Sequence, residues 1–182
     1  MRLNIIILII TILLGATLTF WLDKESARPT TDVLTTTKPN ALSGELAPAF
    51  SFKDINGKEH SRASFSGKTV ILNFWASWCA PCVVEFPKLM TLAKDNPRIT
   101  LIALSSDSDD LKVRSFIKRH APKSDNVIIA RDDKRHITAD IFNTYKLPET
   151  LIISPSGIIA RKIVGDTDWN GKEIKDFLST LK

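Results

Sequence analysis

The chain is poor in the residues that most often carry ligands and cross-links. Its 182 residues include two cysteines, three histidines, one tyrosine and seven glycines. Two cysteines exclude a framework of structural disulfides. His60, His120 and His136 show no paired spacing, and a zinc site ordinarily needs four ligands, so a metal centre is not expected. No basic run interleaved with aromatics is present. The net charge of +5 is spread along the chain, with mixed stretches such as Lys118-Arg119-His120 the densest. That pattern argues against nucleic acid as a partner and leaves a solvated surface that favours anionic lipid or an acidic partner. There is no internal repeat.

Charge itself is missing from Leu3 to Leu22, a stretch rich in Ile, Leu and Thr. At about 1.5 Å per residue it spans roughly 30 Å as a helix, the thickness of a bilayer's hydrocarbon core. Residues 1–23 are therefore expected to be a transmembrane signal anchor. A cleaved export signal is the alternative, but its apolar region runs about 7–15 residues and ends on small side chains. Here the run ends on Phe20-Trp21-Leu22, and no cysteine lies nearby to take a lipid. Arg2 precedes the stretch and Asp23-Lys24-Glu25 follow it. Positive charge stays inside, which puts the rest of the chain outside the cytoplasm, on the periplasmic side of an inner membrane; a cleaved signal gives the same compartment. Residues 24–45, with Pro29, Pro39 and Thr35-Thr36-Thr37, bury too little to order and are expected to form a flexible tether, typically about 25–30 Å end to end.

From residue 46 to 182 the pattern is globular. Ala49-Phe50-Ser51-Phe52 alternates like a strand and runs into the turn residues Asp54-Ile55-Asn56-Gly57, predicting an N-terminal β-hairpin. Thr69 to Ala76 and Arg98 to Leu104 are apolar runs of strand length, buried on both faces. Helices are predicted from Cys82 to about Asp95, Asp109 to His120, Lys134 to Tyr145 and Gly171 to Leu181. Further strands are expected at Asn126–Ala130, Thr150–Ser154 and Ile158–Val164, the last two flanking the turn Pro155-Ser156-Gly157. Strands alternating with helices indicate an α/β layered fold that closes on a hairpin and a final helix.

The two cysteines stand as Cys79-Ala80-Pro81-Cys82, directly after a buried strand and at the start of a helix. A helix N-terminus presents unpaired N–H groups and a partial positive charge, which stabilise a thiolate. The thiolate is the nucleophile. Cys79, at the mouth, is expected to be exposed and to attack. Cys82, one turn further in, is expected to be shielded and to resolve the mixed disulfide. Pro81 is tolerated in the first turn, where its missing N–H has no intrahelical partner anyway. Half a zinc site and an inert structural disulfide are the competing readings of the pair; its strand-to-helix setting favours redox exchange.

Phe74-Trp75-Ala76-Ser77-Trp78-Cys79-Ala80-Pro81-Cys82 resembles the active-site segment of thioredoxin-like proteins. Gly44-Glu45-Leu46-Ala47-Pro48-Ala49-Phe50, then Asp54, Gly57-Lys58 and Phe65-Ser66-Gly67-Lys68, resemble more specifically the membrane-anchored TlpA, ResA and CcmG group of extracytoplasmic thiol–disulfide oxidoreductases. The resemblance spans about residues 44–182. It implies a thioredoxin fold, a central mixed sheet flanked by helices, with the hairpin as an N-terminal extension. It implies exchange with a cysteine-containing client protein, with no metal or organic cofactor. It also implies a cis peptide bond at Pro148, in Leu147-Pro148-Glu149-Thr150, with Leu147 shaping specificity, and a helix-kinking proline at Pro87. Glu85, three residues after Cys82, lies where ResA-like proteins carry a glutamate that tunes proton transfer at the cysteines. Asn73 stands where ordinary thioredoxins bury an aspartate, so Glu85 is expected to carry the acid–base role the amide cannot. Trp78, Pro81 and Leu147 are the candidate substrate contacts, while Trp75 reads as core.

The direction of electron flow is the open point. The TlpA-like resemblance favours a reductant fed by a membrane electron-donor protein and acting, for example, on apocytochrome c; Glu149 is reminiscent of the CcmG branch. A disulfide-forming oxidant would use the same residues at a less negative potential. A copper chaperone on this fold has wider cysteine spacing, and a peroxidase needs Thr or Ser three residues before its cysteine, where Ala76 stands.

Overall fold

The computed structural model describes residues 43–121 and 124–181. The expected anchor and most of the tether lie outside these residues. Among the described residues, no helix is long and apolar enough to cross a membrane.

The core element is β3 (Thr69–Trp75), a strand in which every residue is buried. Its alternate side chains feed two separate cores, as the period of two requires. Ile71 and Trp75 join the cluster that contains both cysteines. Val70, Leu72 and Phe74 join a second cluster with Phe50, Phe52 and Phe65. On one side β3 pairs in parallel with β4 (Ile99–Ser105), which pairs in parallel with β5 (Val127–Arg131). On the other it pairs antiparallel with β6 (Glu149–Ile153), which pairs antiparallel with β7 (Ile159–Val164). The five-stranded order is β5-β4-β3-β6-β7. Helices α1 (Ala80–Asp95), α2 (Asp110–His120) and α3 (Lys172–Thr180) complete the layers. This is the thioredoxin fold expected from the resemblance.

The N-terminal hairpin pairs β1 (Ser51–Lys53) with β2 (Glu59–Ser61). Asp54 Oδ1 accepts the amides of Asn56 at 2.8 Å and Lys58 at 3.0 Å. Gly57 takes the left-handed conformation (φ +87°) that the turn demands. The Ile55 N–H donates to the Ile129 carbonyl at 2.9 Å, which docks the hairpin on β5.

One expected element is not a regular helix. In place of a helix from Lys134 to Tyr145, a 3-10 turn at Asp133–Arg135 runs into a single wide π turn, His136–Ile141. Lys134 and Arg135 have φ of 52° and 60°. The physical reason is the buried Asp132 carboxylate. It accepts the Ile137 amide at 3.0 Å, the Thr138 amide at 2.6 Å and the Thr138 hydroxyl at 2.6 Å. A side chain thus takes the amides that an earlier helical turn would have bonded, and the segment winds around it instead. Replacing Asp132 with Ala strands three donors in the interior. We expect the urea midpoint to fall by the equivalent of about 2–4 kcal/mol with an unchanged denaturant slope; an equilibrium unfolding series reads this directly.

Candidate redox site

The C-terminal end of β3 delivers the chain to the start of α1. The connecting segment is held by a buried acid. Asp107 Oδ2 accepts the Ser77 amide at 2.9 Å and the Ser105 hydroxyl at 2.7 Å, while Oδ1 accepts the Ser77 hydroxyl at 2.7 Å. Asp107 itself is buried. Three donors on one carboxylate hold Ser77 to the end of β4, two residues before Cys79.

Cys79 and Cys82 are joined as a disulfide. Cys79 is the N-cap of α1, and its Sγ accepts the Cys82 amide at 3.3 Å. One of the unpaired N–H groups of the helix start therefore points at the sulfur that is expected to attack. The structure corrects one expectation. Cys79 is 6% exposed, not open, although it remains the more accessible of the pair, Cys82 being at 1%. Its sulfur is turned into the helix start, and Leu147 and Val83 pack against the same cluster. What stands proud instead is its neighbourhood: Ala80 and Pro81 are exposed, and Trp78 is 66% exposed. Trp75 is fully buried between Phe86 and Phe116, with ring centroids 4.6 and 4.7 Å away.

The Leu147–Pro148 bond is cis. Pro148 immediately precedes Glu149, which sits opposite Phe74 in the β3–β6 register. The cis bond therefore lies at the same end of the sheet from which β3 enters the cysteine segment. Glu149 is buried; its Oε1 lies 2.9 Å from Lys162 Nζ and accepts the Thr144 hydroxyl. It ties the residue after the cis bond to β7 and to Thr144. Pro87 lies inside α1, with its side chain exposed.

Glu85 is buried rather than solvated. Its Oε1 accepts the indole N–H of Trp169 at 2.7 Å, and its Oε2 has no hydrogen-bond partner. Burial pushes the carboxyl up to about 7; the Trp169 N–H pulls it back, Asp166 adds to the rise, and Thr150 and Lys88 oppose it. Thr150 lies on this carboxyl without meeting Oε2 in bonding geometry. Its hydroxyl accepts the Asn73 side-chain amide at 2.9 Å. Asn73 is thus satisfied within the sheet, and the ionisable group beneath the cysteines is Glu85. Nothing in the sequence marks Trp169, Thr150 or Asp107 as site residues. Trp169 is 84 positions from the acid it bonds, and no local pattern marks such a pairing.

A raised carboxyl makes stability pH-dependent. The folded chain holds the Glu85 proton more tightly than the unfolded chain, so this group's contribution is most favourable below pH 4.5 and is lost as pH rises through about 7. The full swing corresponds to about 3 kcal/mol. Glu85→Gln is expected to remove it: the stability difference between variant and parent moves in the variant's favour by this amount from pH 4 to pH 8. Chemical denaturation of the oxidised chain at both pH values checks the slope, and a constant difference would contradict the assignment.

Residues 42–181 match the Redoxin family. The thiol-disulfide oxidoreductase ResA of Bacillus subtilis (strain 168) is 29% identical over 147 residues, covering 80% of this chain and 79% of that protein. The ResA of Bacillus thuringiensis subsp. konkukian is 32% identical over 140 residues, 76% of this chain and 78% of its own length. The thioredoxin-like protein YneN of Bacillus subtilis is 35% identical over 126 residues, 67% and 71%. Among solved structures, the thioredoxin domain of a Bacteroides vulgatus thiol-disulfide oxidoreductase superposes with a TM-score of 0.62 at 25% identity, covering 74% of this chain and 96% of that one. A secreted Mycobacterium tuberculosis disulfide oxidoreductase homologous to DsbE gives 0.62 at 23%, covering 72% and 96%, and speaks to the fold alone.

Proposed function

The chain belongs to the Redoxin family as a thioredoxin-like thiol–disulfide oxidoreductase of the TlpA/ResA type, and from that premise we propose that it works outside the cytoplasm, tethered to the membrane by residues 1–23, as a reductant of cysteine-containing client proteins. The observation that carries the direction is the buried Glu85 one turn from Cys82. A helix start alone stabilises the thiolate and so favours the reduced dithiol, which makes a pair oxidising. A carboxylate nearby repels the same thiolate, destabilises the reduced form and lowers the potential.

The chemistry then runs in two exchanges. The Cys79 thiolate attacks one sulfur of the client disulfide; a new S–S bond forms and the client's other sulfur leaves as thiolate. Cys82 gives its proton to Glu85 and attacks Cys79 Sγ. The mixed disulfide breaks, the client leaves with both sulfurs reduced, and Cys79–Cys82 is oxidised by two electrons. Pro148 and Leu147 present backbone and side chain beside the pair, and Trp78 and Pro81 offer the exposed rim that a client covers. Apocytochrome c is a client of the right chemistry, with closely spaced cysteines that must be reduced before haem attachment. In an oxidising compartment the pair stays joined unless electrons are supplied, so the reading requires a membrane electron-donor protein. The uncharged Leu3–Leu22 stretch supports the tether, and the tether keeps the domain within reach of such a donor.

The reduction potential tests the direction. Equilibration with a thiol redox buffer is expected to place the Cys79–Cys82 couple well below the strong-oxidant value of roughly −120 mV, with the pair reduced in the native membrane. A couple near that value and held oxidised there would make the protein an oxidant. Cys82→Ser is expected to trap clients as Cys79 mixed disulfides that dithiothreitol releases.

A further inference from the structure

The segment between β7 and α3 reaches the redox site at three points. The Gly165 amide donates to the Pro148 carbonyl at 2.8 Å. Asp166 Oδ1 lies 3.7 Å from Lys88 Nζ on α1. The Trp169 indole N–H donates to Glu85 Oε1 at 2.7 Å. Trp169 is wholly buried and packs in the cluster that holds both cysteines. One short stretch of chain therefore holds the cis-proline backbone, the active-site helix and the buried acid together.

Packing alone does not require an indole here, since a phenyl ring would fill most of the space. An indole brings an N–H that must be satisfied when buried, and its partner is one particular oxygen of one particular acid. We propose that Trp169 is a positioning residue for the exchange reaction: its N–H fixes the Glu85 carboxyl through Oε1 and leaves Oε2 as the oxygen that takes the proton from Cys82. The step is balanced: the Cys82 S–H bond breaks, an O–H bond forms on Oε2, and the Cys82 thiolate is left with the electron pair it uses on Cys79 Sγ. Cys82 and Glu85 are three residues apart on α1, which sets their Cβ atoms about 5–6 Å apart on one helical face. A hydrogen bond to the charged form of an acid favours that form. Without it, burial would keep Glu85 protonated at neutral pH and unable to accept. The other groups facing this carboxyl are Asp166 from the same segment, Lys88 on α1, and the non-titrating Thr150 from the sheet, whose hydroxyl also accepts the Asn73 amide.

This proposal rests on Glu85 as the proton acceptor, and the test separates the two. The pH profile of client or model-disulfide reduction is measured for the full chain, Glu85→Gln, Trp169→Phe and the double variant. Trp169→Phe is expected to move the midpoint of the profile upward by about one pH unit and to slow the reaction several-fold at pH 7, as the loss of a bond to a charged group implies. The double variant is expected to behave as Glu85→Gln alone. A profile unmoved in Glu85→Gln overturns the role of the acid itself. A profile that moves in Glu85→Gln but not in Trp169→Phe, or a Trp169→Phe loss that persists undiminished in the Glu85→Gln background, overturns only the role of the indole. Should Trp169→Phe not fold, the unaltered chain decides by NMR: the Trp169 indole N–H resonance is expected to titrate with the same midpoint as the Glu85 carboxyl carbon, and a resonance that ignores the carboxyl's titration overturns the proposal.

Discussion

Everything at the redox site depends on one constraint: a seven-residue strand, β3, is buried on both faces and stops where a helix must begin. A strand with no exposed face has no freedom to slip its register, because a shift of one residue would exchange the contents of two cores. Ile71 and Trp75 are committed to one side and Val70, Leu72 and Phe74 to the other. The end of β3 is thereby placed to within the precision of the packed core, and Cys79 inherits that placement. Asp107 extends it by holding the Ser77 amide and hydroxyl to the end of β4, so the last residues before the cysteine are as fixed as the strand.

Two opposed electrostatic influences meet at the pair. The helix start directs the Cys82 amide at the Cys79 sulfur, favouring the thiolate. The buried Glu85 carboxyl works the other way once it is ionised. Its proton affinity is itself a contest between burial, which raises it, and the Trp169 indole, which restrains it. The result lies near neutrality, where a carboxyl can both take and give a proton. An acid left fully to burial would stay protonated, and one left to solvent would stay ionised. The polar inventory beneath the cysteines is therefore small and directional: Asn73 to Thr150, and Trp169 to Glu85.

Much of this was legible along the chain. The Cys79-to-Cys82 spacing after an apolar run, the hairpin turn at Asp54–Gly57, the cis-proline position and the mixed sheet flanked by helices all follow from local patterns or from resemblance. The predicted helix from Lys134 was not legible as it stands, because its amides bond to the side chain of Asp132 and no propensity reports a bond of that kind. The exposure of Cys79 was not legible for a similar reason: a helix N-terminus is open in the abstract, but here the sulfur is bonded to Cys82 and joins a buried cluster against which Leu147, from a segment far along the chain, also packs.

The sequence by itself determined which two sulfurs can pair. Two cysteines, two residues apart and at a helix start, admit one disulfide and one plausible nucleophile, because helix geometry and backbone N–H groups are local properties of consecutive residues. What only the tertiary structure decided is the proton chemistry around them. Glu85 reads in sequence as one more acid on a helix. Its burial, its bond to Trp169 and the unpartnered Oε2 arise because a loop 84 residues away folds back over it. The physical reason is that nucleophile and leaving group are set by covalent order, whereas the free energy of a charge is set by whatever surrounds it in space.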